Sequence, residues 1–285
     1  MPAMLEPSTD LATMISAART AGTGLMRRFR DRSRLEVELK GLADFVSTAD
    51  LESEETLKSL LLGAHPLRGF YAEEGAPTAA RNDERYIVDP LDGTTNFLQG
   101  IPHFAVSVAL ERRGEIVAGV VFDPAKGELF WGERERGAWL GDGARLRVVE
   151  GMDLSRAIVS TGIPHANRRQ RHARYLPALA AMMREAAGIR RMGAAALDLA
   201  YVAAGRFAVH FETGLAPWDV AAGALLIEEA GGRVSESTGG RGFVWSGDVV
   251  ATNLDLHQRA LGLLRRAGAP RLGVSTRRPR RSRLL

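Results

Sequence analysis

The alternation of apolar and polar positions divides the chain into two halves of different texture. Residues 10–30 and 50–62 read as helices, and a strand-rich middle follows. A period of two is clear at 103–112, 116–122 and 128–132, with Gly114 and Pro124-Ala125-Lys126-Gly127 as turns, which predicts an antiparallel meander. Gly141-Asp142-Gly143 reads as one more hairpin turn. Beyond residue 155 strand and helix alternate: strand 157–161, helices 171–187 and 194–204, strand 207–211, a helix over 220–230, strand 249–253 and a last helix. That order predicts an α/β protein (α+β layered), its helices stacked on sheets. The expected division is an N-terminal α+β half over 1–150, a C-terminal α/β half over 151–268 and an Arg-rich tail over 269–285. No internal repeat is detected.

At 285 residues and 45% hydrophobic content the chain can bury a large core, as one big domain or two subdomains. The absence of cysteine excludes disulfides, thiolate metal sites and a Cys nucleophile. No apolar run approaches the ~18 residues of a membrane span. The N-terminal stretch, with Glu6 and Asp10, lacks the basic region and apolar segment of a secretory leader, so a cytoplasmic protein is expected. A formal charge of +4 points towards polyanions, yet residues 265–285 hold eight arginines and no acid, which leaves the preceding 264 residues at −4. The tail, with Arg277-Arg278-Pro279-Arg280-Arg281-Ser282-Arg283, is expected to be disordered and without a specific task; contact with RNA or another polyanion is the alternative. A second basic run, Arg168-Arg169-Gln170-Arg171-His172-Ala173-Arg174, reads as a surface or subunit contact.

The densest chemistry lies in Asp89-Pro90-Leu91-Asp92-Gly93-Thr94-Thr95-Asn96-Phe97. Residues 85–88 read as a short buried strand, and Pro90 biases Asp89 towards extended backbone and is expected to stop the strand. Gly93 permits close approach of a ligand, while Thr94 and Thr95 suit the first turn of a helix whose free N–H groups favour an anion. Two carboxylates at such a junction can hold cations beside a phosphate. The same residues also suit an ordinary turn with a threonine cap. Two more acids sit at the ends of elements. Glu73, with Glu74, follows the strand-like Gly69-Phe70-Tyr71-Ala72, and Asp219 heads the apolar helix that Gly231-Gly232 ends. Alone, the glutamates read as a solvated loop pair and Asp219 as an acid favoured by the helix dipole. A buried acid at the head of so apolar a helix needs a partner, and a divalent cation is one. His103, His165 and His210 lack metal-ligand spacing and read as structural. No P-loop or complete Gly-x-Gly-x-x-Gly occurs.

These residues carry a resemblance. Asp89 through Phe97, followed by Trp218-Asp219-Val220-Ala221-Ala222-Gly223 and Glu229-Ala230-Gly231-Gly232, resemble the two signatures of the inositol monophosphatase family of magnesium-dependent, lithium-sensitive phosphatases. The similarity runs over roughly residues 10–265. Leu91, Pro102-His103-Phe104-Ala105-Val106-Ser107, Asp123-Pro124 and the stretch 190–205 are most similar to its bacterial, SuhB-like branch. The resemblance implies the five-layered αβαβα sugar-phosphatase fold and two or three Mg2+ ions. One ion falls to Glu73, Asp89 and the carbonyl of Leu91, a second to Asp89, Asp92 and Asp219, with Asp89 bridging. Oxygen-only ligands suit magnesium or manganese rather than zinc. Water activation falls to Thr94 and Asp50, with Glu73 close to the water; without the resemblance, Ser47-Thr48-Ala49-Asp50 is a helix entrance. The N–H groups of Gly93 and Thr94 would receive phosphate oxygens.

On the alcohol side the implied contacts are Asp92, Gly193, Ala194, Glu212 and Asp219, and Glu212 fits a polyol because a carboxylate accepts from hydroxyls. Two departures leave substrate preference open: Ala208 stands where an Asp is usual, and Ala216-Pro217 replaces more polar residues. The expected activity is magnesium-dependent hydrolysis of inositol 1-phosphate to inositol and phosphate, with water as nucleophile and no covalent intermediate. Related fructose-1,6-bisphosphatases, histidinol phosphatases and nucleotide 3′-phosphatases share the metal motifs, which do not discriminate among them. The SuhB-like branch implies a different class of role, a protein-binding factor in ribosomal RNA transcription. A homodimer is also implied.

Overall fold

The computed structural model describes residues 6–41, 44–164 and 168–267. The Arg-rich tail, His165 and the side chains of 168–171 and of Arg174 therefore lie outside the described residues. In chain order the elements are α1 (Thr9–Arg30), β1 (Val37–Gly41), β2 (Asp44–Ser47), α2 (Thr48–Ala64), β3 (Gly69–Ala72), β4 (Glu84–Asp92), α3 (Thr94–Gln99), β5 (Ala105–Arg112), β6 (Glu115–Asp123), β7 (Glu128–Glu133), β8 (Gly137–Leu140) and β9 (Ala144–Arg145). There follow β10 (Ile158–Thr161), α4 (Arg168–Glu185), β11 (Gly188–Arg190), α5 (Ala195–Ala203), β12 (Val209–Thr213), α6 (Pro217–Glu229), β13 (Arg233–Ser235), α7 (Phe243–Ser246), β14 (Asp248–Thr252) and α8 (Leu254–Arg266).

Five layers result. Helices α1 and α2 cover one face of a seven-stranded sheet of order β3-β4-β5-β6-β7-β8-β9. Helices α5 and α6 fill the space between it and a five-stranded sheet of order β11-β10-β12-β14-β13, whose far face carries α4 and α8. From β4 onwards the large sheet is the expected antiparallel meander, and Gly141-Asp142-Gly143 turns β8 into β9. Both faces of the sheet are buried across strands β4 and β5. Tyr86, Val88, Val108 and Leu110 point towards α1 and α2, whereas Ile87, Ala109 and Val121 point towards α5 and α6. Coverage on both sides explains why the strands read as nearly continuous apolar runs. The middle helix α6 lies between two sheets, so Val220 through Ile227 are all buried. Small residues let it sit close: a Cβ on Gly223 would lie 2.5 Å from Leu199 Cβ, and one on Gly119 would lie 3.0 Å from the Ala222 carbonyl.

The structure corrects the sequence reading in several places. Strand β4 does not stop at Pro90 but runs to Asp92, because Pro90 lies in a bulge where no ladder N–H is required. Strand β12 begins two residues later than expected: the Phe207 N–H is taken by the Tyr201 carbonyl as the chain leaves α5. The hairpin β1–β2, the three-residue strands β11 and β13 and the single turn α7 are too short to show a period, and were not anticipated.

Candidate active site

The bulge in β4 is the starting point of the site. Its register against β5 passes from Asp89 opposite Ser107 to Asp92 opposite Ala105, so Pro90 and Leu91 together face Val106. In a regular strand, residues three apart point to opposite faces. The extra residue restores the count to two and turns Asp89 and Asp92 into one cavity. One contact from outside the strand and one within it fix this shape: Ser53 Oγ of α2 donates to the Pro90 carbonyl at 2.7 Å, and the Leu91 N–H donates to Asp89 Oδ1 at 3.0 Å.

The head of α6 delivers the third acid. Pro217 suits the first helical position, where no N–H is needed. Ser107 Oγ donates to the Trp218 carbonyl at 3.0 Å, and the Trp218 ring packs 5.4 Å from that of Tyr71 on β3. Asp219 Oδ2 accepts from the Ala216 N–H at 2.7 Å. Asp92 in turn caps α5 from a distance, accepting from the Ala195 and Ala196 N–H groups at 3.2 and 2.8 Å. Oxygens of Asp89, Asp92 and Asp219 all lie within 4.8 Å of one another. Glu73 is not part of that trio, but it lines the same cavity and its charge acts on Asp89. Its loop is held by the Glu74 N–H, which donates to Glu54 Oε2 at 2.9 Å.

Such a cluster opposes its own ionisation. Burial pushes Asp89 well above the usual carboxylate range, and the charges of Glu73, Asp92 and Asp219 push it further. Asp92 is driven up to about 7 by burial and by Asp219, against the pull of the α5 N–H groups. Three carboxylates, two buried and that of Asp219 half-buried, held together by their own helix and strand contacts present oxygen donors only, the set that a hard divalent cation prefers. The residues fit magnesium.

Beside the trio, Asp50 does two things at once. It occupies the third position of α2 and closes a capping box, with Oδ2 accepting from the Ser47 N–H and hydroxyl at 2.9 and 2.6 Å. Its Oδ1 lies 2.9 Å from Thr94 Oγ1, which is also 3.0 Å from the Leu91 carbonyl. The expected helix entrance and the expected contact with Thr94 therefore coexist. Burial raises the Asp50 carboxyl above its ordinary value, opposed by Ser47 and Thr94.

Gly93 takes φ +91°, and a Cβ there would meet the His103 carbonyl at 3.1 Å and Ala194 Cβ at 3.3 Å. Only glycine makes this turn without strain. Asn96 has a part that no local sequence pattern displays. Its Nδ2 donates to the carbonyls of His103 at 2.8 Å and Met192 at 2.9 Å, with that of Gly193 at 3.4 Å, which ties the glycine turn to the Met192-Gly193-Ala194 segment.

The cavity, of about 570 Å3, extends from the acidic trio to a second polar end. Glu73, Asp89, Leu91, Asp92, Gly93, Thr94 and Asp219 line it, together with Gly193, Ala194 and Glu212. Asp50, enclosed behind Thr94, completes the set of anticipated residues. Two unanticipated lining residues are Arg191 and Asp198. Burial, reinforced by Asp219, pushes Glu212 up to about 8, with Arg191 opposing. Asp198 is raised well above its ordinary value by burial, then by Glu212 and Asp92. Ala208, which stands where an Asp is usual, packs in the outer core beneath α4 and α8.

Comparison with known proteins agrees with this architecture. The sequence model of the inositol monophosphatase family matches residues 6–269. The chain is 52% identical to an inositol-1-monophosphatase of Rhizobium meliloti over 86% of its own length and 92% of the relative's. It is 42% identical to the Nus factor SuhB of Pseudomonas aeruginosa, covering 87% of this chain and 92% of that one. The crystal structure of the extragenic suppressor protein suhB from Bartonella henselae superposes with a TM-score of 0.87 at 44% identity, over 90% of this chain and 98% of that one. Among the described residues, no helix is long and apolar enough to cross a membrane.

Proposed function

The chain belongs to the inositol monophosphatase family, and on that premise we propose that it is a magnesium-dependent phosphomonoesterase that hydrolyses inositol 1-phosphate to inositol and phosphate. The observation that carries this reading is the bulge-bent convergence of Asp89, Asp92 and Asp219 within 4.8 Å, beside a left-handed glycine turn that opens α3. Glu73, Asp89 and the Leu91 carbonyl would hold one cation, and Asp89, Asp92 and Asp219 a second. Bound ions would supply Lewis acidity, polarising the phosphoryl oxygens, lowering the pKa of water and stabilising the departing alkoxide. Asp50 and Thr94 orient the attacking water: the Thr94 hydroxyl donates to Asp50 Oδ1 and its lone pairs take a hydrogen bond from the water. Glu73 stands on the same side of the cavity. The N–H groups of Gly93 and Thr94 receive phosphate oxygens. Asp92, Gly193, Ala194, Glu212 and Asp219 surround the alcohol portion. A homodimer, testable by light scattering, belongs to the same reading.

The test is a substrate panel in magnesium. Inositol 1-phosphate should give a higher kcat/KM than fructose 1,6-bisphosphate, histidinol phosphate or a nucleotide 3′-phosphate, and lithium should inhibit. Preference for another ester would move the substrate assignment within the same chemistry, and full activity in lithium would count against the proposed ion site. The relatives named Nus factor SuhB favour a second reading, a protein-binding role in ribosomal RNA transcription. An Asp92→Asn protein separates the two: complementation of a deletion strain that survives this substitution supports the binding role, and its loss supports the enzyme.

A further inference from the structure

A polar column stands beneath the alcohol end of the cavity. Ser160 of β10 pairs in register with His210 of β12, and Glu212, two residues further along β12, shares the face of His210. That face looks towards Asp198 of α5. His210 is fully enclosed, and burial pushes its imidazole down to about 3, so it stays neutral with one donor and one acceptor nitrogen. Its Nδ1 lies 2.9 Å from Ser160 Oγ and 3.8 Å from Asp198 Oδ2. Its Nε2 makes no hydrogen bond and points at Glu212 Oε2, 3.6 Å away. An unmade hydrogen bond in a sealed interior is costly, and a shift of a few tenths of an ångström would complete this one. On the other side the Glu212 carboxylate lies directly against Gly162, where any Cβ would collide with it. Gly162 and His210 thus leave the carboxylate little freedom except along the cavity wall.

We propose that His210 is a positioning residue for recognition of the alcohol: with Ser160 donating to Nδ1, Nε2–H is donated to Glu212 and fixes that carboxylate to accept hydrogen bonds from substrate hydroxyls. This rests on the phosphatase reading above and adds to it a residue that touches neither cation ligands nor substrate. Its effect falls on esters rich in hydroxyl groups. An aryl phosphate without hydroxyls has nothing for Glu212 to accept and should not notice the change.

The experiment compares inositol 1-phosphate with p-nitrophenyl phosphate in magnesium, using wild type, His210→Phe, His210→Gln and His210→Asn. For His210→Phe the KM of inositol 1-phosphate should rise about tenfold with kcat within about twofold, while kcat/KM for the aryl ester stays within about twofold. His210→Gln, whose amide nitrogen reaches the place of Nε2, should restore most of the KM; His210→Asn, which reaches only the place of Nδ1, should not. If the phenylalanine variant fails to fold, the two amide variants decide, and identical KM values for them overturn the proposal. An equal loss on both esters, or no loss on either, overturns it too. A wild type inert towards both esters overturns the phosphatase reading and this inference with it, whereas an active wild type with indifferent variants overturns the inference alone.

Discussion

The two ends of the cavity are built differently. At the metal end, Asp89, Asp92, Gly93 and Thr94 come from one bulged strand and the turn after it, while Asp50, Glu73 and Asp219 are brought in from α2, from the loop after β3 and from the head of α6. At the alcohol end, Gly162, Asp198, His210 and Glu212 come from the end of β10, from α5 and from β12. The first end owes its geometry to local backbone shape: a bulge, a left-handed glycine and a proline that needs no hydrogen bond. The second owes its geometry to the register between strands and to a helix laid across them. Local geometry of this kind can carry a fixed chemistry through many sequences, while an assembled surface can change one wall at a time. Reaction type should accordingly reside at the first end and substrate choice at the second.

The sharpest way to break this division is Asp92→Asn. Turnover should fall by roughly 10^2 to 10^3 with every ester, since the lost charge acts on the transition state whatever the alcohol. The same change should stabilise the metal-free protein above neutrality. The Asp92 carboxyl is raised to about 7 in the folded state, so wild type binds a proton more tightly folded than unfolded, and loses that stability as pH rises from about 4 through 7. Thermal melts in chelator should therefore favour Asp92→Asn most at pH 8 and least near pH 4. Next in size is Gly93→Ala, which forces a side chain into φ +91° and should cost about 1 to 3 kcal/mol in urea unfolding, with turnover lowered for all esters alike.

Asn96→Ala tests the bridge between the two ends. It leaves the His103 and Met192 carbonyls without their donor, for about 1 to 3 kcal/mol of stability, and should raise KM by loosening Gly193 and Ala194. A smaller effect concerns acid stability. The His210 imidazole is held near 3 when folded, against an ordinary value near 6.5, so its contribution is complete above about pH 6.5 and is lost as pH falls towards 3. His210→Phe should flatten that limb of the stability curve by up to about 1.4 kcal/mol per pH unit, measured with magnesium saturating. Smallest of all, removal of residues 268–285 should leave turnover unchanged at both ends, because no proposed site residue lies there.

Much of the metal end was legible in the sequence because its signals are contiguous: two aspartates, a glycine and two threonines within one short run, and an acid heading an apolar helix. Even there the backbone was misjudged. Pro90 was read as a stop, and the bulge that makes Asp89 and Asp92 neighbours depends on the pairing of β4 with β5, which no local pattern displays. Asp50 was legible as a helix cap, while its contact with Thr94 joins segments 44 residues apart. At the alcohol end Glu212 was assigned through resemblance alone, and His210 was read as merely structural, because the strand register that sets it under Glu212 arises only when β10 and β12 pair. The long helices and the antiparallel meander were legible for an opposite reason: their periods repeat over enough residues to be seen, unlike the three-residue strands at the edges of the second sheet.

The proposed chemistry stands or falls with Asp89, Asp92 and Asp219 forming one divalent-cation site. Crystals soaked in manganese, measured near the manganese edge, address it without reference to turnover. An anomalous peak enclosed by oxygens of these three carboxylates is expected, absent from Asp92→Asn crystals or weakened there. Wild-type crystals that show no peak among the three, with manganese bound elsewhere or nowhere, would contradict it.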